Sequence, residues 1–510
     1  MNMSIDSKKI ARNTVFLYVR LILVMGVTFY SSRVILDKLG ASDYGLYYVV
    51  YGVIGLLSFL NGTLSSGTSR FITFELGRGD KENLKATFHT VLYAHVLLSL
   101  IILIIGETIG LCYAMNILNI PPDRFRAAMI VYQISICSTI ISIIQVPFTS
   151  EIIAHEDMNV YAYLGIFESL SKLIVVFLLI YTSFDKLIFF AILQLLVAAL
   201  FFIIYVNYCR NHYDEVSQKG RHSKSILKEV LTFSGWNVIA NLSNTLMVQG
   251  IILLYNLFFS PIVVAAQAIS NQISQALMQF VDNVRKSIEP QVIKLYADEQ
   301  YSESKKLTFL SAEYVFDLLM FLGIPCILIM PNLLDLWLVE VPEYTVAFAR
   351  LIVLQNILGN FSAAFYTPML AANKLSVNSI SSFFLCVIQF LVLWILFKCG
   401  FGPLWARYLG LIACVMFSFI IKPFVLIHDI GYTIVEIYRC IFRCMLKMCI
   451  VSAVSVLLYV LFPQGNIFNT LVVAFSSGFS VIIISFLFMK KIHRDALLRI
   501  IENKLRWVRN

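Results

Sequence analysis

The chain of 510 residues is 59% hydrophobic and only 14% charged, with a formal net charge of +9. An average soluble domain carries roughly 25% charged residues, so this composition excludes a string of soluble domains and requires that most of the chain be dissolved in lipid. The basic excess is spread thinly along an apolar chain, which excludes a nucleic-acid partner and makes the Lys and Arg positions topology signals.

A helix crosses the hydrocarbon core with about 20 predominantly apolar residues. Along the chain this rule places fourteen spans, near 10–36, 44–69, 86–113, 126–150, 159–182, 187–208, 229–258, 262–284, 307–330, 345–370, 376–397, 403–427, 441–462 and 467–489. The first follows Lys8, Lys9 and Arg12, outlasts a signal-peptide core and has no small-residue cleavage site behind it, so it reads as a retained span. Spans 44–69 and 229–258 carry enough Gly, Ser and Asn that one side must face protein or water. Twenty-nine of the 39 Lys and Arg fall at the N-terminus, in the connections 70–85, 209–228 and 285–306, at Lys374, at Lys422, Arg439, Arg443 and Lys447 after span twelve, and in the tail, whereas 331–344 has none. Basic segments stay in the cytoplasm during insertion. Both termini are therefore expected there, which requires an even number of spans.

Polar residues inside the spans are the candidate machinery, because Arg or Lys near the bilayer centre costs roughly 2.5–3.5 kcal/mol on insertion scales. Span one carries Arg20 well inside it and Arg33 nearer its outer end, and span two closes on Arg70. Span five carries Lys172, with Glu168 one turn earlier at the (i, i+4) spacing of an ion pair. Span seven aligns Asn237, Asn241 and Asn244 on one face, and span eight continues with Gln267, Asn271, Gln275 and Asp282. Amides donate and accept together, which suits sugar hydroxyls, although Asn and Gln also join neighbouring helices by hydrogen bonds. Span nine holds Glu313 and Asp317, which with Asp282 and Glu168 are the span acids that burial would let change protonation. The arginines, Lys172 and the two amide rows are expected to line one wet, cationic chamber. The tail 490–510 sets Leu497, Ile500, Ile501, Leu505 and Val508 among bases, the pattern of a helix lying on the anionic inner leaflet.

Catalytic chemistry leaves no trace. The ten cysteines contain no CxxC pair, the seven histidines show no metal-ligand spacing on one helix face, and there is no P-loop or Gly-rich nucleotide fingerprint. No enzyme activity, metal or cofactor is expected.

At an offset of 221 residues, Glu82, Lys85, Thr87 and Phe88 fall on Glu303, Lys306, Thr308 and Phe309, ahead of spans three and nine. The same offset lays spans one and two on seven and eight, as in a transporter built from two like-oriented halves. The stretch from Ile35 to Tyr47, ILDKLGASDYGLY, resembles the characteristic segment of Wzx-type polysaccharide flippases. Leu333-Leu334-Asp335-Leu336-Trp337-Leu338 with Val341-Pro342-Glu343-Tyr344 is a second match, and Ile288-Glu289-Pro290-Gln291 followed by Leu295-Tyr296-Ala297 a third.

That resemblance implies membership of the superfamily that also holds MATE-type multidrug exporters and lipid II flippases. It implies an all-α polytopic fold of two six-helix lobes, here 1–208 and 209–428, two additional helices within 429–489 and the tail 490–510. It further implies alternating access in a bacterial inner membrane, coupled to H+ or Na+ entry through acids such as Asp282, Asp317, Glu168 and Glu313, moving an undecaprenyl-pyrophosphate-linked oligosaccharide from the cytoplasmic to the periplasmic leaflet. Membrane lipids, a polysaccharide polymerase and glycosyltransferases are the partners implied. Two rivals remain open: a MATE-type exporter of small amphiphiles, and an integral membrane glycosyl- or acyltransferase.

Overall fold

The computed structural model describes residues 7–218, 220, 222–372, 374, 376–462 and 466–489, so the expected surface helix 490–510 lies outside the described residues. Every regular element among the described residues is helical, as a lipid solvent demands: without water, backbone N–H and C=O groups must pair within the segment. The helices are α1 (Ser7–Gly55), α2 (Ser58–Arg78), α3 (Lys81–Ile105), α4 (Leu111–Asn116), α5 (Phe125–Ala154), α6 (Met158–Tyr181) and α7 (Lys186–His212). Then come α8 (Asp214–Ser217), α9 (Lys224–Thr245), α10 (Ile251–Phe258), α11 (Pro261–Ala297), α12 (Tyr301–Leu328), α13 (Met330–Trp337) and α14 (Thr345–Asn360). The last are α15 (Tyr366–Ala371), α16 (Ser376–Lys398), α17 (Trp405–Met416), α18 (Lys422–Ile430), α19 (Ile434–Leu461) and α20 (Ile467–Phe488). The chain is an all-α polytopic membrane protein.

Ten helical stretches among the described residues are long and apolar enough to cross a membrane. They coincide with the expected spans three to six and nine to fourteen. The other four expected spans, 10–36, 44–69, 229–258 and 262–284, fall on α1, α1 with α2, α9 with α10, and α11. Some side chains of each lie outside the described residues. One expectation is corrected here: Arg439, expected in the connection between spans 403–427 and 441–462, sits inside α19. A Thr433–Glu436 capping box starts α19 upstream of the expected 441 and draws Arg439 into the helix.

Each interruption has a local cause. Gly40, at φ +77°, kinks α1 between the first two spans, a conformation that costs a residue with a Cβ. Gly106–Gly110 forms a π-bulge between α3 and α4, and the buried Tyr132 hydroxyl donates to the Gly106 carbonyl at 2.6 Å. Pro147 inside α5 removes the N–H that would pair with the carbonyl four residues earlier.

The described chain divides into two compact units, 1–269 with 337–345 and 379–406, and 270–336 with 346–378 and 407–510. In the first, α5 packs on α7 and α3, α1 on α6, and α2 on α9. Its core gathers Phe88, Phe148, Phe190, Phe201 and Tyr205. In the second, α12, α19 and α20 pack on one another. There α20 buries Val473, Ser477 and Val481 while exposing Phe468, Leu471, Phe475 and Phe479, the face a lipid solvent would wet.

The first turns of α3 and α12 echo each other as the 221-residue offset predicts. Lys85 pairs with Glu82 at 2.9 Å and Lys306 with Glu303 at 2.6 Å, while Thr87 and Thr308 are both buried one turn on.

Candidate functional site

Four residues of α6, Tyr161, Gly165, Glu168 and Lys172, recur at spacings of four, three and four and so share one face. Lys172 Nζ donates to Glu168 Oε1 at 2.7 Å, and the lysine side chain keeps 45% of its exposure. At the other end of the stripe the Arg20 guanidinium lies over the Tyr161 ring, 4.2 Å from its centroid. Gly165 makes that approach possible, because a Cβ there would stand 2.3 Å from Arg20 Nε. Arg20 and Lys172, which the cost of intramembrane charge singles out, therefore both engage α6.

A second stripe faces the Lys172 end. Ser138, Ser142, Gln145 and Thr149 recur on α5 at four, three and four, and with Glu168, Lys172, Gln194 of α7 and Tyr47 and Tyr51 of α1 they line a cavity of about 360 Å3. That is within the roughly 300–1,000 Å3 of small-molecule sites. Ser142 donates to the Ser138 carbonyl at 2.9 Å and Thr149 to the Val146 carbonyl at 2.9 Å, so these hydroxyls present acceptor lone pairs to the cavity. Tyr47 and Tyr51 stack at 6.4 Å between centroids and form an aromatic wall. The α5 stripe escaped the sequence reading because Ser and Thr are cheap in a membrane helix and pass under any charge-based search. Its signal was the helical spacing itself.

The other expected residues distribute as follows. In the first unit, Arg33 is half-buried and Arg70 is exposed, 5.8 Å from the Phe71 ring centroid. On α9, Asn241 is half-buried and Asn244 exposed, while the Asn237 side chain lies outside the described residues. Gln267 of α11 is buried. In the second unit, Asn271 is half-buried and Gln275 exposed on the same helix. Between them Ser274 and Asn356 share a hydrogen bond of 2.9 Å, the helix-joining use of a polar side chain. Asp282 lies 3.4 Å from Arg285. The amide row of α11 thus passes from one unit into the other, whereas Glu168 and Lys172 are brought together in one cavity.

The acids of α12 have dedicated partners. Arg443 donates to Glu313 at 2.8 Å and Lys447 to Asp317 at 2.5 Å, two rungs at (i, i+4) on both α12 and α19. Lys447 is 2% exposed, so its charge is held in place by Asp317. A cavity of about 670 Å3 runs beside the rungs, with Lys305, Lys306 and Arg439 also on its walls. Arg443 and Lys447 were not weighed among the intramembrane charges because they were counted with the cytoplasmic bases after span twelve.

No family model and no curated relative matches this chain. Its fold is nevertheless that of known solved structures. The lipid II flippase MurJ, in an inward closed conformation, superposes with a TM-score of 0.71 at 13% identity, over 96% of this chain and 100% of that one. The MATE multidrug transporter DinF-BH gives a TM-score of 0.62 at 16% identity, over 84% and 97%. A MOP superfamily transporter from Pyrococcus furiosus gives 0.54 at 15%, over 81% and 94%.

Proposed function

We propose that this protein is an inner-membrane flippase that carries an undecaprenyl-pyrophosphate-linked oligosaccharide to the outer leaflet by alternating access, driven by H+ or Na+ entry. Moving a pyrophosphate and a sugar through hydrocarbon unaided costs tens of kcal/mol, so such a protein needs a polar cavity with a cation at depth. The observation that carries the reading is the cavity of α1, α5, α6 and α7, where hydroxyls, amides and an aromatic wall surround Lys172. In it, pyrophosphate displaces Glu168 from Lys172, and the released carboxylate takes up the coupling proton. Arg20 of α1 packs against the Tyr161 end of the same α6 stripe and adds positive potential. Both termini face the cytoplasm, and the glycan-assembling enzymes of the pathway are the partners.

The MATE-type exporter is the second reading. Coverage weighs against it: the MATE structure DinF-BH spans 84% of this chain and MurJ 96%. The test is a proteoliposome assay that measures how fast a fluorescent undecaprenyl-pyrophosphate oligosaccharide becomes accessible to an impermeant lectin, run beside efflux of a fluorescent organic cation. Flipping of the lipid, reduced at least about tenfold in Lys172→Ala with unchanged melting, is expected. Dye efflux without lipid flipping would transfer the protein to the exporter reading.

A further inference from the structure

Outside the proposed cavity, one buried charged cluster has no assigned work. Glu151 closes the last turn of α5 with 0% exposure, and both of its carboxylate oxygens are buried without a hydrogen-bond partner. A buried carboxylate that accepts no hydrogen bond is among the more expensive groups a protein can hold. Four residues on, at the C-cap, His155 points Nε2 at the same place, 3.5 Å from Glu151 Oε1. Glu215 of α8, which is 7% exposed, completes the group with Oε1 at 2.6 Å from that nitrogen. The three ligand-type atoms all lie within 4.8 Å of one another.

We propose that Glu151, His155 and Glu215 bind one divalent transition-metal ion of the zinc type, which fastens α8 to the end of α5.

The ligand chemistry fits. Imidazole with two carboxylates suits zinc and its neighbours and disfavours Mg2+, which prefers an all-oxygen octahedron and retains its waters. Two ligand atoms on a tetrahedral zinc, each at about 2.0–2.1 Å, stand about 3.3 Å apart. The His155–Glu151 separation already matches, and the His155–Glu215 hydrogen bond opens by under about 1 Å as the metal takes the place of its proton. The His155 side chain keeps 27% exposure, which leaves a side for metal entry and a fourth, water ligand. The support is built as in known sites. Tyr213 stacks on the imidazole at 4.2 Å and 14°, and its hydroxyl donates to Asp157 at 2.6 Å. The negative end of the α5 dipole favours a cation at this terminus. Histidine spacing could not reveal the group, because two of its members are glutamates and one of these, Glu215, lies 60 residues from His155.

The experiment uses the untagged full chain in detergent, stripped with a chelator and then titrated with Co2+ and Zn2+. One equivalent of Co2+ with the visible bands of a four-coordinate N/O site is expected, displaced by Zn2+ and indifferent to millimolar Mg2+. Glu215→Gln and His155→Ala are expected to weaken Zn2+ binding at least about tenfold. Stoichiometric binding retained by both variants, or none by the wild-type chain, overturns the proposal. Should the variants not fold, zinc X-ray absorption of the wild-type protein decides. A shell of one imidazole with oxygens supports the site, and a shell containing sulfur or several imidazoles overturns it.

Discussion

The segment that resembles the flippase family explains itself residue by residue. Gly40 supplies the left-handed kink, and Gly45 supplies a contact no side chain fits, since a Cβ there would stand 1.9 Å from the Pro261 carbonyl oxygen. Asp43 receives Arg124 Nε at 2.9 Å and Nη2 at 2.6 Å, and the same guanidinium reaches Asp185 at 2.6 Å. Asp185 in turn caps α7. Although burial alone would raise the Asp185 pKa, hydrogen bonds from Arg124 and the backbone N–H groups of Ile188 and Leu187 outweigh it and hold the carboxyl below its ordinary range. Arg124 therefore ties α1 to the starts of α5 and α7. Gly45→Ala is expected to destabilise the protein by about 1–3 kcal/mol, through forced separation of α1 and α11, read as a lower melting temperature in detergent. Arg124→Ala is expected to cost about 1–3 kcal/mol. This is less than the about 3–5 kcal/mol of a fully buried pair, because both carboxylates retain some exposure. Adding Asp43→Asn to Arg124→Ala should recover part of the melting temperature; no recovery would remove the clamp from the account.

Between elements, register decides what a charge does. Glu313 and Asp317 are spaced as a coupling pair on their own helix, yet α19 presents Arg443 and Lys447 at the same spacing, so each acid has a fixed counter-charge. The arrangement docks α19 on α12. Lys447→Met leaves Asp317 uncompensated among buried neighbours and is expected to reduce the folded yield sharply. Lys447→Met with Asp317→Leu is expected to restore it, because replacing both partners of a buried pair is often neutral. Monodispersity on gel filtration reads both outcomes, and a double variant as poor as the single would contradict the docking role. The α5 and α6 stripes show the converse. Their spacing is visible in the chain, but only the packing of α1, α5, α6 and α7 turns them toward one cavity.

For the molecule as a whole, two measurements bear on direction and drive. Cys399 is exposed in the connection between α16 and α17, which the basic-residue pattern assigns to the outer face. In a background where Cys399 is the only cysteine, an impermeant maleimide added to intact cells is expected to label it. Labelling only after permeabilisation would reverse the topology. On the proposed function, Glu168→Gln, whose side chain cannot exchange a proton, is expected to make lipid flipping lose its dependence on an imposed pH gradient. A variant that still follows the gradient would place the coupling elsewhere.

Lipid solubility, helical class, approximate span positions and the cost that marks Arg20 and Lys172 were legible in the chain, because each depends on local apolar length or on one residue's transfer energy. The first turns of α3 and α12 were legible for the same reason, since their Glu–Lys pairs close within a single turn. Tertiary structure alone decided that the α5 hydroxyls face Lys172, that Asp317 is matched by a lysine 130 residues away, and that Glu151 and His155 meet Glu215. Those outcomes follow from the rotation and register of neighbouring helices, which the hydrophobic pattern of any one helix leaves undetermined.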